Sequence, residues 1–391
     1  MERQTEGSVI YLDNAATSYP KPPEVLQKMV QDYARFGVSP GRGSYDLAVS
    51  AADLVWRARK KVAAFFHAPD PSRVIFAANA TDALNKALLG LLEPGDHVIS
   101  TRLEHNSVLR PLFFLKEKIG ITYDLVPFDG SGRVDPDEIT KLFRHKTKLV
   151  VMNHASNVLG SVQQVEAVGR ACRERGIALL IDTAQSAGHI PIDMEKMHIQ
   201  AVAFTGHKSL MGPAGIGGLV LAPGLDVKPT FTGGTGVESH NLKQPADYPH
   251  RLESGTLNLP GIFGLSAGLD YLAKVQENVE EGKHEIRLAQ MLYDGIKDIP
   301  GVKIVSPRPG ADTVPIVTCT VSGMVSSDVG DILDGDFQIA VRTGLHCAPL
   351  VHETLGTVKT GAVRFSPGPF NTGEDIMQAV KAMEKIAMRA K

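Results

Sequence analysis

Between Val74 and Leu221 the chain alternates short β-branched runs with stretches patterned at helical spacing, and this alternation restricts the fold more than any other feature. Strands are expected at Val74–Ala77, His97–Ser100, Thr122–Val126, Leu149–Asn153, Ala178–Asp182, Ala201–Thr205 and Gly218–Leu221. Amphipathic segments at Thr81–Leu92, Ser107–Lys118 and Glu166–Arg175 lie between several of them. Strands that alternate with helices imply an α/β fold, a mainly parallel sheet covered by helices on both faces. Such sheets bind ligands beyond the carboxyl ends of their strands, so the residues after each strand are the ones to search for chemistry.

A long helix, Asp46–Phe66, precedes this region, and Phe231–Pro260, rich in Gly, Thr and Pro, follows it as a loop-rich excursion. Gly261–Val279 and His284–Lys297 are expected to be helical. From about Val302, strand-like runs (Val314–Val321, Ala362–Ser366) and a final helix, Glu374–Met388, suit a smaller α+β domain. Hydrophobic residues at 43% and charged residues at 21% exclude a disordered chain and a coiled coil. Lys+Arg 41 against Asp+Glu 43 leaves no electrostatic footprint for nucleic acid, and no basic run suggests a membrane surface. The polar opening residues carry no secretory signal, and no apolar run approaches the roughly 20 residues that span a bilayer. The expected location is therefore cytoplasmic. Three scattered cysteines without a C-x-x-C pair cannot form a disulfide framework, which points to a reducing compartment.

Two catalytic patterns are set aside. Gly264-Leu265-Ser266-Ala267-Gly268 matches G-x-S-x-G, but a nucleophile elbow needs a strand before its turn, and this pentapeptide sits in a helical pattern. His346, Cys347 and His352 lack a fourth ligand at zinc-site spacing, so no metal is expected. More informative is Ile181–Gly218. One buried strand ends in Asp182, with Gln185 three residues on, and the next ends in Gly206-His207-Lys208 before a Gly/Pro-rich turn. An acid and a lysine at successive strand ends form either an ordinary salt bridge or the Schiff-base lysine and pyridinium partner of pyridoxal phosphate chemistry. Spacing alone leaves both readings open.

Five blocks occur in order: Tyr11-Leu12-Asp13-Asn14-Ala15-Ala16-Thr17, Glu104-His105-Asn106, Ser156-Asn157-Val158-Leu159-Gly160, Ile181-Asp182-Thr183-Ala184-Gln185 and Thr205-Gly206-His207-Lys208. Together they resemble the class V aminotransferase superfamily, and more narrowly the cysteine desulfurase/selenocysteine lyase family. Val341-Arg342-Thr343-Gly344-Leu345-His346-Cys347-Ala348-Pro349 resembles the catalytic-cysteine segment of its group II (SufS-like) branch. The resemblance implies the fold type I architecture of pyridoxal 5'-phosphate enzymes. A large cofactor domain would cover 15–265, and a small domain would combine 1–14 with 266–391.

The resemblance also implies roles. Lys208 would hold the cofactor and shuttle the Cα proton, Asp182 would pair with the pyridinium nitrogen, Gln185 would donate to the phenolic oxygen, and His105 would stack on the ring. Phosphate would sit near Ala80 and Thr81, helped by Thr205, His207 and, from a partner subunit in a homodimer, Thr256. Thr81 has a plainer reading as a helix cap, and Asn79 stands where the family commonly has Gly; Asn tolerates left-handed backbone better than most residues. Arg364 would clamp the substrate carboxylate with Asn157, Ala16 would stand at the pocket, and Arg342 and Arg42 would stand at its entrance or form ordinary surface ion pairs. Arg42 follows Gly41, where related sequences often carry a histidine.

Cys347 is the implied nucleophile. Cys172 and Cys319 read as small core residues, whereas Cys347 falls in a loop beside His346; neighbouring positive charge favours the reactive thiolate. The implied reaction takes L-cysteine to L-alanine and leaves sulfur on Cys347 for a protein acceptor. Selenocysteine lyase, a class V transaminase or β-lyase, and a pyridoxal-phosphate-binding regulator are the alternatives.

Overall fold

The computed structural model describes residues 9–40, 43, 45–276 and 283–389. Its first part runs β1 (Ile10–Tyr11), α1 (Pro23–Phe36), α2 (Asp46–Phe65), β2 (Val74–Ala77), α3 (Ala80–Leu91), β3 (His97–Thr101), α4 (Asn106–Ile119) and β4 (Thr122–Val126). Next come α5 (Pro136–Lys141), β5 (Thr147–Asn153), α6 (Val165–Arg175), β6 (Ala178–Asp182), β7 (Ala201–Thr205) and β8 (Gly217–Leu221). Then follow α7 (Leu259–Gln276), α8 (His284–Ile296), β9 (Val302–Ile304), β10 (Val317–Val321), α9 (Ser326–Phe337) and β11 (Ile339–Ala340). The chain closes with β12 (Arg342–Gly344), α10 (Pro349–Leu355), β13 (Ala362–Phe365) and α11 (Gly373–Arg389).

Seven strands form the main sheet in the order β2-β8-β7-β6-β5-β3-β4. The pairs from β7 across to β4 are parallel, and β8 runs antiparallel to both β7 and β2. β2 therefore points the same way as β7. The carboxyl ends of β2, β3, β5, β6 and β7 (Ala77, Thr101, Asn153, Asp182 and Thr205) consequently share one edge. Strands covered on both faces need apolar side chains throughout, and β2, β3, β7 and β8 are buried at every residue. Each fully buried Leu, Ile or Val adds roughly 1.5–3 kcal/mol of hydrophobic stabilisation.

The C-terminal strands β12-β13-β10-β9 make an antiparallel sheet, and β1 pairs in parallel with β11. Ile10 and Leu12 join one apolar cluster with Leu288, Leu292, Val317, Phe365, Ile376 and Met383, so the N-terminal segment packs with the end of the chain. All seven expected strands of the main sheet form, and the sequence-predicted helices form within a few residues of their expected limits. The expected helix Gly261–Val279 is seen as Leu259–Gln276, and its last three residues lie outside the described ones. G-x-S-x-G is inside α7, where Lys61 Nζ donates to Ser266 Oγ at 2.9 Å.

Two expectations change. The strand expected from Val314 begins at Val317, because Pro315 lacks an N–H and Val314 and Ile316 pack instead with Ala15 and Ala155. Helices α1, α5, α9 and α10 were not anticipated; α1 starts at Pro23, where a missing N–H is harmless, and it leaves Leu26, Val30 and Tyr33 exposed. Among the described residues no helix is long and apolar enough to cross a membrane.

Candidate active site

The shared edge of the sheet opens on a cavity of about 310 Å³. After β7, Gly206 lets the chain turn tightly: a Cβ there would meet Ile216 Cγ2 at 2.8 Å. Gly206 N donates to Ile216 O at 2.8 Å, and Gly212 N donates to Gly206 O at 2.8 Å. The turn is also gripped from the N-terminal segment, since Lys21 Nζ and Thr17 Oγ1 donate to His207 O at 2.5 and 2.9 Å. Lys208 thus lines the cavity, half-buried. Burial pulls its amine down to about 8, Arg364 adds to this, and Asp182 opposes it.

Asp182 ends β6 and is 6% exposed. Its Oδ1 accepts from Ala184 N at 2.9 Å, and burial pushes the carboxyl's pKa upward against that bond and the Lys208 charge. Gln185, in the turn after β6, donates through Nε2 to Ala15 O at 2.9 Å, which leaves its second N–H for the cavity. Thr205 Oγ1 is buried without a hydrogen-bond partner, as is Asn157 Oδ1. Buried polar atoms are normally paired, so these mark places where a bound group would supply the missing contact.

His105 follows β3 and caps α4. Its Nδ1 accepts from Ser107 N at 3.0 Å, so in the neutral ring the proton is on Nε2. Burial, then the charges of Lys208 and Arg342, push this histidine down to about 4, which keeps it neutral. Beneath it, Glu104 is fully buried and accepts from Thr101 Oγ1 at 2.6 Å and Asn153 N at 3.1 Å. Burial raises Glu104 to about 8. Asn79, Ala80 and Thr81 line the cavity at the start of α3, where free N–H groups favour an anion.

The helix cap here is Asn79 rather than Thr81: Asn79 Oδ1 accepts from Asp82 N at 3.0 Å. Nor does Asn79 use the left-handed conformation expected of it. Its φ of −172° is extended, which frees the side chain to cap.

Arg364, on β13, is 2% exposed. It donates from Nη2 to Asp13 Oδ1 at 2.8 Å and from Nη1 to Asn157 O at 2.9 Å, and its buried Nε is without a partner. Arg342 sits opposite it across β12 and β13 and is exposed at the mouth. Cys347 lies on the short link between β12 and α10. It is exposed, beside His346, which lines the cavity. Cys172 and Cys319 are buried, in α6 and β10.

The fold therefore brings Ala16, Ala80, Thr81, His105, Asn157, Asp182, Gln185, Thr205, His207, Lys208, Arg342 and Arg364 to one cavity. Cys347, one residue beyond the lining His346, is not among them, and neither is Thr256. Thr256 is exposed in a second cavity of about 350 Å³ with Trp56, Val237 and Glu253. Arg42 lies outside the described residues. Sequence reasoning missed roles for Asp13, Asn79, Glu104, Asn153 and His346. Asp13 and Glu104 stood inside quoted blocks, and the need of a buried guanidinium for a carboxylate is the signal that would have singled out Asp13. Among the described residues, no three His, Cys, Asp or Glu side chains gather as for a metal ion.

A seven-stranded, mainly parallel sheet with a strand-end lysine facing a buried aspartate defines an α/β enzyme of the cofactor-lysine class. The model of the family described as "Aminotransferase class-V" matches residues 10–379, and the chain belongs to that family. A protein from Methanothermobacter thermautotrophicus called a probable cysteine desulfurase is 33% identical over 384 residues, covering 97% of this chain and 94% of its own. A cysteine desulfurase from Pectobacterium atrosepticum is 30% identical over 386 residues, covering 96% and 92%. Among solved structures, the apo cysteine desulfurase of Thermococcus onnurineus NA1 superposes with a TM-score of 0.90 at 33% identity, covering 97% of this chain and 95% of that one.

Proposed function

We propose that this chain is a pyridoxal 5'-phosphate-dependent cysteine desulfurase that converts L-cysteine to L-alanine and passes the sulfur to Cys347. The reading rests above all on one placement. The loop 345–348 holds Cys347 beside His346, and His346 shares its cavity with Lys208 and Arg364.

The residues suit the cofactor. Asp182 offers a buried carboxylate to a ring nitrogen, and His105 offers a neutral ring face. The start of α3 and the unpartnered Thr205 hydroxyl offer donors to a phosphate. When bound, the cofactor supplies an electron sink for the pair released at Cα. Arg364 and Asn157 orient the substrate carboxylate; Arg364 is pre-set for this by Asp13. Lys208, with its amine near 8, takes the Cα proton and returns a proton near neutral pH. The Cys347 thiolate attacks the substrate sulfur. A sulfur–sulfur bond forms, the substrate Cβ–S bond breaks with its electron pair left on carbon, and protonation completes alanine.

The proposal includes a homodimer, a protein that accepts the persulfide sulfur, and work in the cytoplasm. It also includes a large and a small domain, with the boundary moved past α7, because Leu269 and Leu272 pack in the large core. The test incubates purified protein with L-cysteine and a thiol reductant. Equal yields of sulfide and alanine are expected. Pyruvate would instead indicate β-elimination, a keto acid transamination, and no product a regulator. Borohydride should fix the cofactor to Lys208, and peptide mapping that finds it elsewhere would remove the cofactor assignment.

A further inference from the structure

His352, on α10, belongs to neither the cofactor cradle nor the substrate clamp, yet it is wholly buried and reaches toward Cys347 through a defined chain of hydrogen bonds. His346 Nε2 lies 3.3 Å from Arg342 O, a carbonyl that can only accept, so Nε2 carries a proton. His346 Nδ1 lies 3.3 Å from His352 Nε2, and His352 Nδ1 lies 2.8 Å from Thr357 Oγ1. With both rings neutral, only one arrangement satisfies every atom: Thr357 donates to His352, His352 donates to His346, and His346 donates to Arg342 O. Burial first, then the Arg364 charge, push His346 down to about 3 against the bond to the Arg342 carbonyl, and burial takes His352 to about 4. Both therefore stay neutral across the working range.

The chain of bonds ends on a strained segment. His346 and Cys347 have φ of +51° and +57°, two successive non-glycine residues in the left-handed region. Such backbone persists only where its surroundings over-determine it. Here Asn157 Nδ2 donates to His346 O at 2.7 Å, and Asn106 N donates to Cys347 O at 2.7 Å. These bonds hold the two carbonyls, whereas the histidine relay holds the ring of His346 against the carbonyl of Arg342, at the start of the strand β12 that leads into the turn. Without the His352 donor, the buried Nδ1 of His346 would lose its partner, and the ring would have reason to rotate.

We propose that His352 is a positioning residue for Cys347, acting through His346 to hold the left-handed turn that presents the thiol. In its catalytic consequence this rests on the desulfurase reading above. Its test compares His352→Leu, which removes the donor, with His352→Gln, which returns an N–H near the position of Nε2, in the cofactor-loaded enzyme. One readout is kcat and KM for alanine formation. Another is the rate at which iodoacetamide alkylates Cys347 across the neutral pH range, with the buried Cys172 and Cys319 protected.

His352→Leu should lose about a hundredfold in kcat, the scale of an ångström-sized misplacement, with KM near wild type. Its alkylation profile should shift, and His352→Gln should recover most of both. Equal behaviour of His352→Leu and wild type would overturn the proposal, as would equal impairment of the Leu and Gln variants. If His352→Leu does not fold, Thr357→Val decides, because it leaves both rings and removes only the hydroxyl that sets their direction. A lowered kcat with unchanged KM supports the relay, and wild-type kinetics refute it. Should wild type yield no alanine, the desulfurase reading fails, while the alkylation comparison still judges the positioning of Cys347.

Discussion

Asp13 Oδ1 accepts from Arg364 Nη2 at 2.8 Å across a sequence separation of 351, joining the N-terminal segment to strand β13 at the cavity floor. The guanidinium is almost fully buried, and burial pulls its pKa down while Asp13 resists that pull. A buried charge needs such a partner, and a fixed partner also fixes the direction of the fork. Asp13→Asn keeps the shape and an acceptor oxygen but removes the charge. A charged hydrogen bond contributes roughly 1.5–3 kcal/mol, so KM for L-cysteine should rise about ten- to a hundredfold with a smaller change in kcat. Steady-state kinetics read this directly, and an unchanged KM would mean that Asn157 O alone orients Arg364.

Glu104 gives the protein a pH-dependent stability of known sign. In the fold it keeps its proton up to about 8, against an ordinary value of 4.5, because burial disfavours the carboxylate. Between those values the folded state binds more protons than the unfolded state, so stability falls as pH rises through the window. Glu104→Gln cannot titrate and still accepts from Thr101 and Asn153. Urea unfolding at a series of pH values should give a flatter slope for the variant than for wild type. Parallel slopes would mean that Glu104 is ionised in the fold.

Cys347→Ser separates binding from sulfur transfer. Arg364, Asn157, Asp182 and Lys208 remain, so L-cysteine should still change the absorbance of the bound cofactor. Alanine formation should fall sharply, because sulfur leaves carbon poorly without a thiolate to receive it. Selenium leaves more readily, so activity on L-selenocysteine should survive better. Undiminished cysteine turnover would make Cys347 a bystander.

The parallel sheet was legible because its strands are buried on both faces and therefore read as unbroken apolar runs, as in Ala178-Leu179-Leu180-Ile181. The residues that line the cavity were legible because they end or follow those strands and fall in contiguous blocks. Helix α1 was legible too and was passed over: Leu26, Met29, Val30, Tyr33 and Phe36 recur at helical spacing, although Leu26, Val30 and Tyr33 end up exposed. Asp13 meets Arg364 across 351 residues, so only the need of a buried guanidinium for a carboxylate pointed to it, whereas His352 lies six residues from His346 and five from Thr357 and was passed over although that spacing is local. The cap at Asn79 was misread for a different reason: the residue type allows both a left-handed turn and a cap, and only the backbone decides between them.

Thr256 should act in the partner subunit's site. It lies on the excursion between β8 and α7, exposed, and lines a cavity other than the one around Lys208. The root of its segment is rigid: Arg59 grips Glu253 with bonds of 2.8 and 2.6 Å, and Phe76 N donates to Glu253 Oε1 at 2.6 Å. A threonine held outward on a firm root can offer its hydroxyl to a second chain. One hydrogen bond to a phosphate contributes roughly 1.5–3 kcal/mol, so Thr256→Ala should weaken cofactor binding about ten- to a hundredfold. Mixing Lys208→Ala subunits with Thr256→Ala subunits gives the decisive case. If the site is shared, the intact Lys208 of one subunit meets the intact Thr256 of the other, and tight cofactor retention should return at half the sites. If Thr256 serves its own chain, mixing restores nothing, and a fully active monomer would end the idea altogether.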